Sequence, residues 1–177
     1  FSRGKNLGLY YISFKQRTKK EVVTYLLDHD IPNFQIAKII DELTASRFID
    51  DDAYASSFIQ GKVLGKSSGP YQIRQKLTEK GIDKALVLDK LDELFDFETQ
   101  VDVATHLAEK LVMTKYSRLP LKALTMKIST HLTSKGFSYD ISKIALDKLE
   151  LESDQENEAE LLQKELEKVL RKYSRTY

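Results

Sequence analysis

The stretch GPYQIRQKLTEKGI, Gly69 to Ile82, decides the fold of this chain because it has counterparts elsewhere. Its apolar teeth Ile73 and Leu77 stand four residues apart and Gly81 closes it, the pattern of a short amphipathic helix. TKKEVVTYLLDHDI, Thr18 to Ile31, has the same length and the same teeth. Alignment gives Val22, Ile73 and Ile128, then Leu26, Leu77 and Leu132, then Ile31, Ile82 and Phe137. Successive copies are offset by 51 residues (Leu26 to Leu77) and 55 residues (Leu77 to Leu132). Self-similarity at such a period marks a chain assembled from copies of one supersecondary unit.

A second apolar helix follows each copy: FQIAKIIDEL with Ile36, Ile39, Ile40 and Leu43, ALVLDKLDEL with Leu88, Leu91 and Leu94, and DISKIALDKL with Ile141, Ala145 and Leu149. Another precedes each copy, in NLGLYYISF, AYASSFIQGKV and VDVATHLAEKL, where Ala55 and Phe58 align with Ala104 and Leu107. Three helices therefore make one unit. The expected organisation is a three-helix repeat over residues 1–50, a second over 51–97 and a third over 98–151. Residues 152–177 then supply the first helix of an incomplete fourth, with Ala159, Leu162 and Leu166 as its teeth. Strand-like alternation is nearly absent, so the predicted fold is all-α. Units too small to bury their own faces should stack, share cores and form an elongated curved array.

Capping signals agree with this register. Thr18 and Glu21 have capping-box spacing, and Gly69-Pro70 places proline at a first helical position, where its missing N–H costs nothing. Gly81 and Gly136 stop the second helices of units two and three, and Asp30 takes that place in unit one. Pro120 lies farther ahead of Gly136 than Pro70 does of Gly81, which predicts about one extra turn in unit three.

A chain of 177 residues can bury a core without disulfide or metal. It has no cysteine, which excludes thiol nucleophiles, thiolate metal sites and disulfides and suits a cytosolic protein. No apolar run reaches the length of a membrane span and no signal peptide is visible. The first residue is Phe1 and not Met, so the natural beginning is expected upstream. The 28 lysines and arginines nearly balance 27 acids, which argues against a strong, indiscriminate nucleic-acid binder.

The charges nevertheless alternate in blocks. Residues 1–20 hold six basic residues and no acid, 21–52 two against eight, 53–82 five against one, 83–113 three against eight, 114–143 six against one, and 144–177 six against nine. Basic blocks cover the junction of first and second helices, and acidic blocks cover the third helix and its exit. One side of the array is thus expected to be basic and the other acidic, although the alternation equally serves to pair neighbouring units and keep them soluble.

Catalytic chemistry finds little support. GKSS at Gly65 to Ser68 lacks the P-loop glycine, since position 60 is Gln, and has no preceding strand. Asp50, Asp51 and Asp52 stand just before a helix, where carboxylates favour the positive helix end. His29, His106 and His131 have no metal-ligand spacing, and no nucleophile, base and orienting acid assemble. The chain is expected to be no enzyme and to hold no cofactor or metal.

What remains is a basic set: Lys15, Arg17, Lys19 and Lys20; Lys62, Lys66, Arg74, Lys76 and Lys80; Lys115, Arg118, Lys122, Lys127 and Lys135, with Tyr71 and Tyr116 interleaved. Ile73 and Leu77 face inward, so Arg74 is free for a partner. Arg74, Lys76 and Lys80, where the first copy has Val23, Tyr25 and His29, are expected on one exposed side. Such cations suit phosphates, each neutralised charge steepening the salt dependence by about 0.9 in log–log slope. They suit an acidic protein surface equally.

The segment FIDDDAYASSFIQGKVLGKSSGPYQIRQKLTEKGI, Phe48 to Ile82, resembles the RecX family of bacterial recombinase regulators. The likeness lies in an acidic turn (Asp51, Asp52), Tyr54 with Ala55, Phe58 with Ile59, basic Lys62 and Lys66, Gly69-Pro70, Ile73, Leu77 and Lys80-Gly81-Ile82. The TKKEVVTYLL opening and the tandem array extend it over essentially the whole chain. One departure is Ser68, where the family often has a basic residue directly before Gly-Pro.

The resemblance implies a cytoplasmic, monomeric modulator of the RecA recombinase, acting in recombination, DNA repair and the SOS response. Such a protein binds along the groove of the RecA filament on single-stranded DNA, inhibits strand exchange, and promotes disassembly or blocks growth. Its partners would be that filament and the DNA within it, with at most weak direct DNA binding and no membrane. Lys15, Arg17, Lys19, Lys20, Lys62, Lys66, Tyr71, Arg74, Lys76 and Lys80 are the expected contacts. Two alternatives stand beside this reading: an autonomous DNA-binding protein with helix-turn-helix-like units, and a scaffold that binds only proteins.

Overall fold

The computed structural model describes the backbone of residues 1–175 and the side chains of residues 1–149 and 162–173. Among them are nine helices and no strand: α1 (Ser2–Phe14), α2 (Lys19–Asp28), α3 (Asn33–Ala45), α4 (Asp51–Gly65), α5 (Pro70–Glu79), α6 (Lys84–Leu94), α7 (Phe97–Met113), α8 (Leu121–Ser134) and α9 (Tyr139–Arg175). The chain is all-α, and its helices run in three successive triplets, α1–α3, α4–α6 and α7–α9. The aligned teeth are buried in every copy: Val22, Ile73 and Ile128; Leu26, Leu77 and Leu132; Ile31, Ile82 and Phe137.

The middle helices α2, α5 and α8 begin and end by local rules. Thr18 accepts from the Glu21 backbone and Glu21 returns the bond to Thr18, closing the capping box, while Pro70 opens α5 after Gly69. All three stop in the same way. Asp30, Gly81 and Gly136 take left-handed backbone (φ 61, 84 and 96°), and the next residue's N–H reaches back to Leu26, Leu77 and Leu132. The extra turn predicted for unit three is present, since α8 has 14 residues against 10 in α5.

α4 ends on Lys66 in left-handed backbone (φ 49°). Two details differ from expectation. In α6 the inward tooth is Val87, fully buried, whereas Leu88 is 38% exposed. The expected break near residue 152 falls inside α9, which runs unbroken for 37 residues, about 55 Å. That segment contains no glycine or proline and is rich in Leu, Glu and Lys, so nothing in it stops propagation. Leu162 and Leu166 are 68% and 62% exposed, whereas the positions aligned with Leu162 are half-buried (Phe58 of α4) or buried (Leu107 of α7), and Ala159 lies outside the residues whose side chains are described.

The middle helices meet end to end. Thr18, at the start of α2, donates its hydroxyl to the Lys80 carbonyl at the end of α5 (2.8 Å). Gly69, at the start of α5, donates its N–H to the Lys135 carbonyl at the end of α8 (2.7 Å), and the Tyr71 N–H reaches Gly136 (3.1 Å). Lys80 and Lys135 are aligned positions, as are Thr18 and Gly69, so the two joints repeat one contact.

Core sharing is nonetheless unequal. Buried residues of units two and three, from Ala55 to Ala145, form one apolar cluster, while Val22, Leu26, Ile31, Ile36, Ile39, Ile40, Leu43 and Ile49 form another within unit one. The reason is polar chemistry at the first joint, where the Lys19 N–H is held by Asp51 (2.9 Å) and Lys20 Nζ by the Glu79 carbonyl (3.1 Å).

Candidate functional site

Helix α5 carries its core face, Ile73 and Leu77, between two different neighbours. On one flank lies α4, whose Tyr54, Phe58 and Lys62 recur every four residues and so line up on one face. Lys76 and Lys80 of α5 face them. The Lys80 ammonium sits 5.7 Å from the Tyr54 ring centre and that of Lys62 sits 5.5 Å from Phe58, with the two rings stacked at 6.4 Å.

The electrostatics of this flank link the units. Lys62 is pushed below the usual lysine value, first by partial burial and then by the charges of Lys76 and Lys135. Lys80 is raised, chiefly by hydrogen bonding to Tyr54 and with help from Glu21, against partial burial and the like charge of Arg17. Arg17 itself lies over the Tyr11 ring at 3.9 Å. In unit three His131 is lowered by burial and by Lys135 and Lys115. A basic strip with aromatic rings at its base thus runs from Arg17 through Lys80, Lys76 and Lys62 to Lys135, Lys115 and His131.

Its ends differ. At unit three the strip enters a groove of about 420 Å³ lined by Tyr116, Lys127 and His131. At unit one, Glu21, Asp28 and Glu79 share a smaller depression with Lys80, Tyr11 and Tyr25, and the basic character fades. A polyanion therefore finds its best match over units two and three.

The expected contact residues do not all belong to this strip. Arg17, Lys62, Lys76 and Lys80 come together. Arg74 and Tyr71 occupy the opposite flank of α5, beside α6, with the guanidinium 5.0 Å from the Tyr71 ring centre. The three charges Arg74, Lys76 and Lys80 are therefore divided between two faces, because a residue directly after Ile73 and one directly before Leu77 leave the core stripe on opposite sides. Lys19 and Lys20 are engaged at the first joint. Lys15 and Lys66 are exposed at the ends of α1 and α4, and Ser68 is buried.

Sequence reasoning had not placed Tyr11, Tyr54, Phe58 and His131 beside these cations. The i, i+4, i+8 spacing of Tyr54, Phe58 and Lys62 carried that signal for α4. Asp50 caps α4 by accepting from the Ala53 N–H, and no group of three or more acidic or histidine side chains among the described residues could hold a metal ion. No described helix is long and apolar enough to cross a membrane.

Comparison with known proteins supplies the context. The family model for the RecX first three-helix domain matches residues 5–43, and that for the second three-helix domain matches residues 50–91. These are the triplets α1–α3 and α4–α6. The regulatory protein RecX of Lactococcus lactis subsp. cremoris (strain MG1363) is 52% identical over all of this chain and 66% of its own length. That of Streptococcus gordonii (strain Challis) is 46% identical over all of this chain and 67% of its own. The chain thus spans about two thirds of the length of these relatives. The crystal structure of RecX from Lactobacillus salivarius superposes with a TM-score of 0.79 at 37% identity, over 85% of this chain and 96% of that one. Another crystal structure, of a regulatory protein RecX, gives 0.75 at 32% identity, over 82% and 71%.

Proposed function

This chain belongs to the RecX family of regulatory proteins, and from that premise we propose that it regulates a RecA recombinase by binding along the RecA filament on single-stranded DNA. The observation that supports this reading is the strip of Arg17, Lys80, Lys76, Lys62 and Lys135, which crosses both joints between units. Phosphates are met by the ammonium and guanidinium groups, which stand over the half-buried rings of Tyr11, Tyr54 and Phe58. The extended array spans successive protomers of a helical filament, and strand exchange is inhibited because the filament groove is occupied. Nucleotide hydrolysis belongs to RecA.

Reversing the strip tests the reading. In a strand-exchange assay the triple variant Lys62→Glu, Lys76→Glu, Lys80→Glu is expected to lose about tenfold or more of its inhibitory potency, while circular dichroism retains the wild-type helicity. Undiminished inhibition removes the strip from the contact. A salt titration on naked single-stranded DNA separates this mode from autonomous binding, for which tight binding without RecA is the signature. The exposed face of α6 carries Asp89, Asp92 and Glu93, a poor match for a recognition helix.

A further inference from the structure

The other flank of α5 bounds a cleft of about 490 Å³ at the joint between units two and three. Its floor is apolar, built from Leu91, Phe95 and Phe137, with Leu88 exposed at the rim. Arg74 stands in the wall with its guanidinium against Tyr71 and takes part in none of the ion pairs among the described residues. Asp92 lies in the wall contributed by α6. The first joint differs in chemistry. Its depression of about 450 Å³ is lined by Lys19, Thr44, Arg47 and Ile49 with the carboxylates Asp50, Asp51 and Asp52, and Lys20, aligned with Tyr71, ties its ammonium to the Glu79 carbonyl. Two copies of one joint thus differ: the first is polar and acidic, and the second has an apolar floor and an unpaired cation.

Resting on the reading above that RecA is the partner, we infer that this cleft docks a protein segment presenting one apolar side chain beside one carboxylate. The apolar side chain fills the floor and the carboxylate pairs with Arg74, a charge-assisted bond in a partly desolvated wall. Nucleic acid is a poor occupant, because a run of phosphates would lie against Asp92 and its neighbours Asp89 and Glu93. The chain then divides its two tasks between the flanks of α5: cations toward α4 for the strand, the cleft toward α6 for protein.

The test uses the full chain, RecA without DNA, and a naked single-stranded oligonucleotide as separate probes, with Arg74→Glu and Leu88→Glu as variants. Leu88 is exposed and Arg74 lies off the core stripe, so both variants are expected to fold, with helicity as the check. Each should bind RecA about tenfold more weakly while binding the oligonucleotide as wild type does. Variants that bind RecA undiminished overturn the cleft alone. Equal loss on both probes makes the cleft a nucleic-acid surface and overturns its assignment to protein. A wild-type chain that fails to bind RecA overturns the proposed function, and with it the partner named for the cleft.

Discussion

At the scale of single residues, the joint between units two and three is the least forgiving place in the chain. A Cβ on Gly69 would lie 2.5 Å from the Gly136 carbonyl carbon, a backbone atom that cannot rotate away. Gly69→Ala is therefore expected to lower stability by about 1–3 kcal/mol in denaturant melts. Gly61, within α4 and with nothing inside 4 Å of its would-be Cβ, provides the contrast: Gly61→Ala should raise stability by about 0.5–1 kcal/mol. The sequence announced Gly69 as a helix start but not as a contact, since nothing local encodes which backbone will lie against it. His131 shows the same limit. Burial, Lys135 and Lys115 hold its pKa below the usual 6.5, so the imidazole is neutral near pH 7. A polyanion laid on those lysines relieves the repulsion and favours protonation, so oligonucleotide affinity should rise as pH falls from about 7.5 to 6, and His131→Gln should flatten that rise. In folding the sign is the reverse of an ion-paired histidine: the unfolded chain takes the proton more readily, so this group subtracts stability as pH falls through about 6.5.

At the scale of elements, periodicity was sufficient. The aligned teeth of α2, α5 and α8 marked buried positions in every copy because a four-residue apolar spacing leaves one inward face. Periodicity placed the flanks less well. Arg74, Lys76 and Lys80 are all polar departures from that stripe, and only the positions of α4 and α6 decide that one faces the cleft and two face the strip. The same limit explains α9. Leu162 and Leu166 have helical spacing, but spacing alone does not reveal whether a neighbour covers them, and they remain exposed. In α6 two adjacent apolar residues, Val87 and Leu88, competed for one inward position, and Val87 holds it.

At the scale of the whole molecule, the two apolar clusters predict two stabilities. Leu26→Ala, a cavity in unit one, should cost about 2–5 kcal/mol locally. In native-state hydrogen exchange it should reduce protection in α1–α3 while leaving α4–α8 nearly unchanged. Uniform loss through all units would show one cooperative core. The end-to-end joints carry a different consequence, concerning direction. At each joint the amino end of one middle helix meets the carboxyl end of the next, so the positive pole of α2 faces the negative pole of α5, and that of α5 faces that of α8. The three small dipoles share one sense along the row, and no two-fold axis relates its ends. A molecule built this way has a leading and a trailing end, and on a polymer that is itself directional the two orientations are unequal in energy.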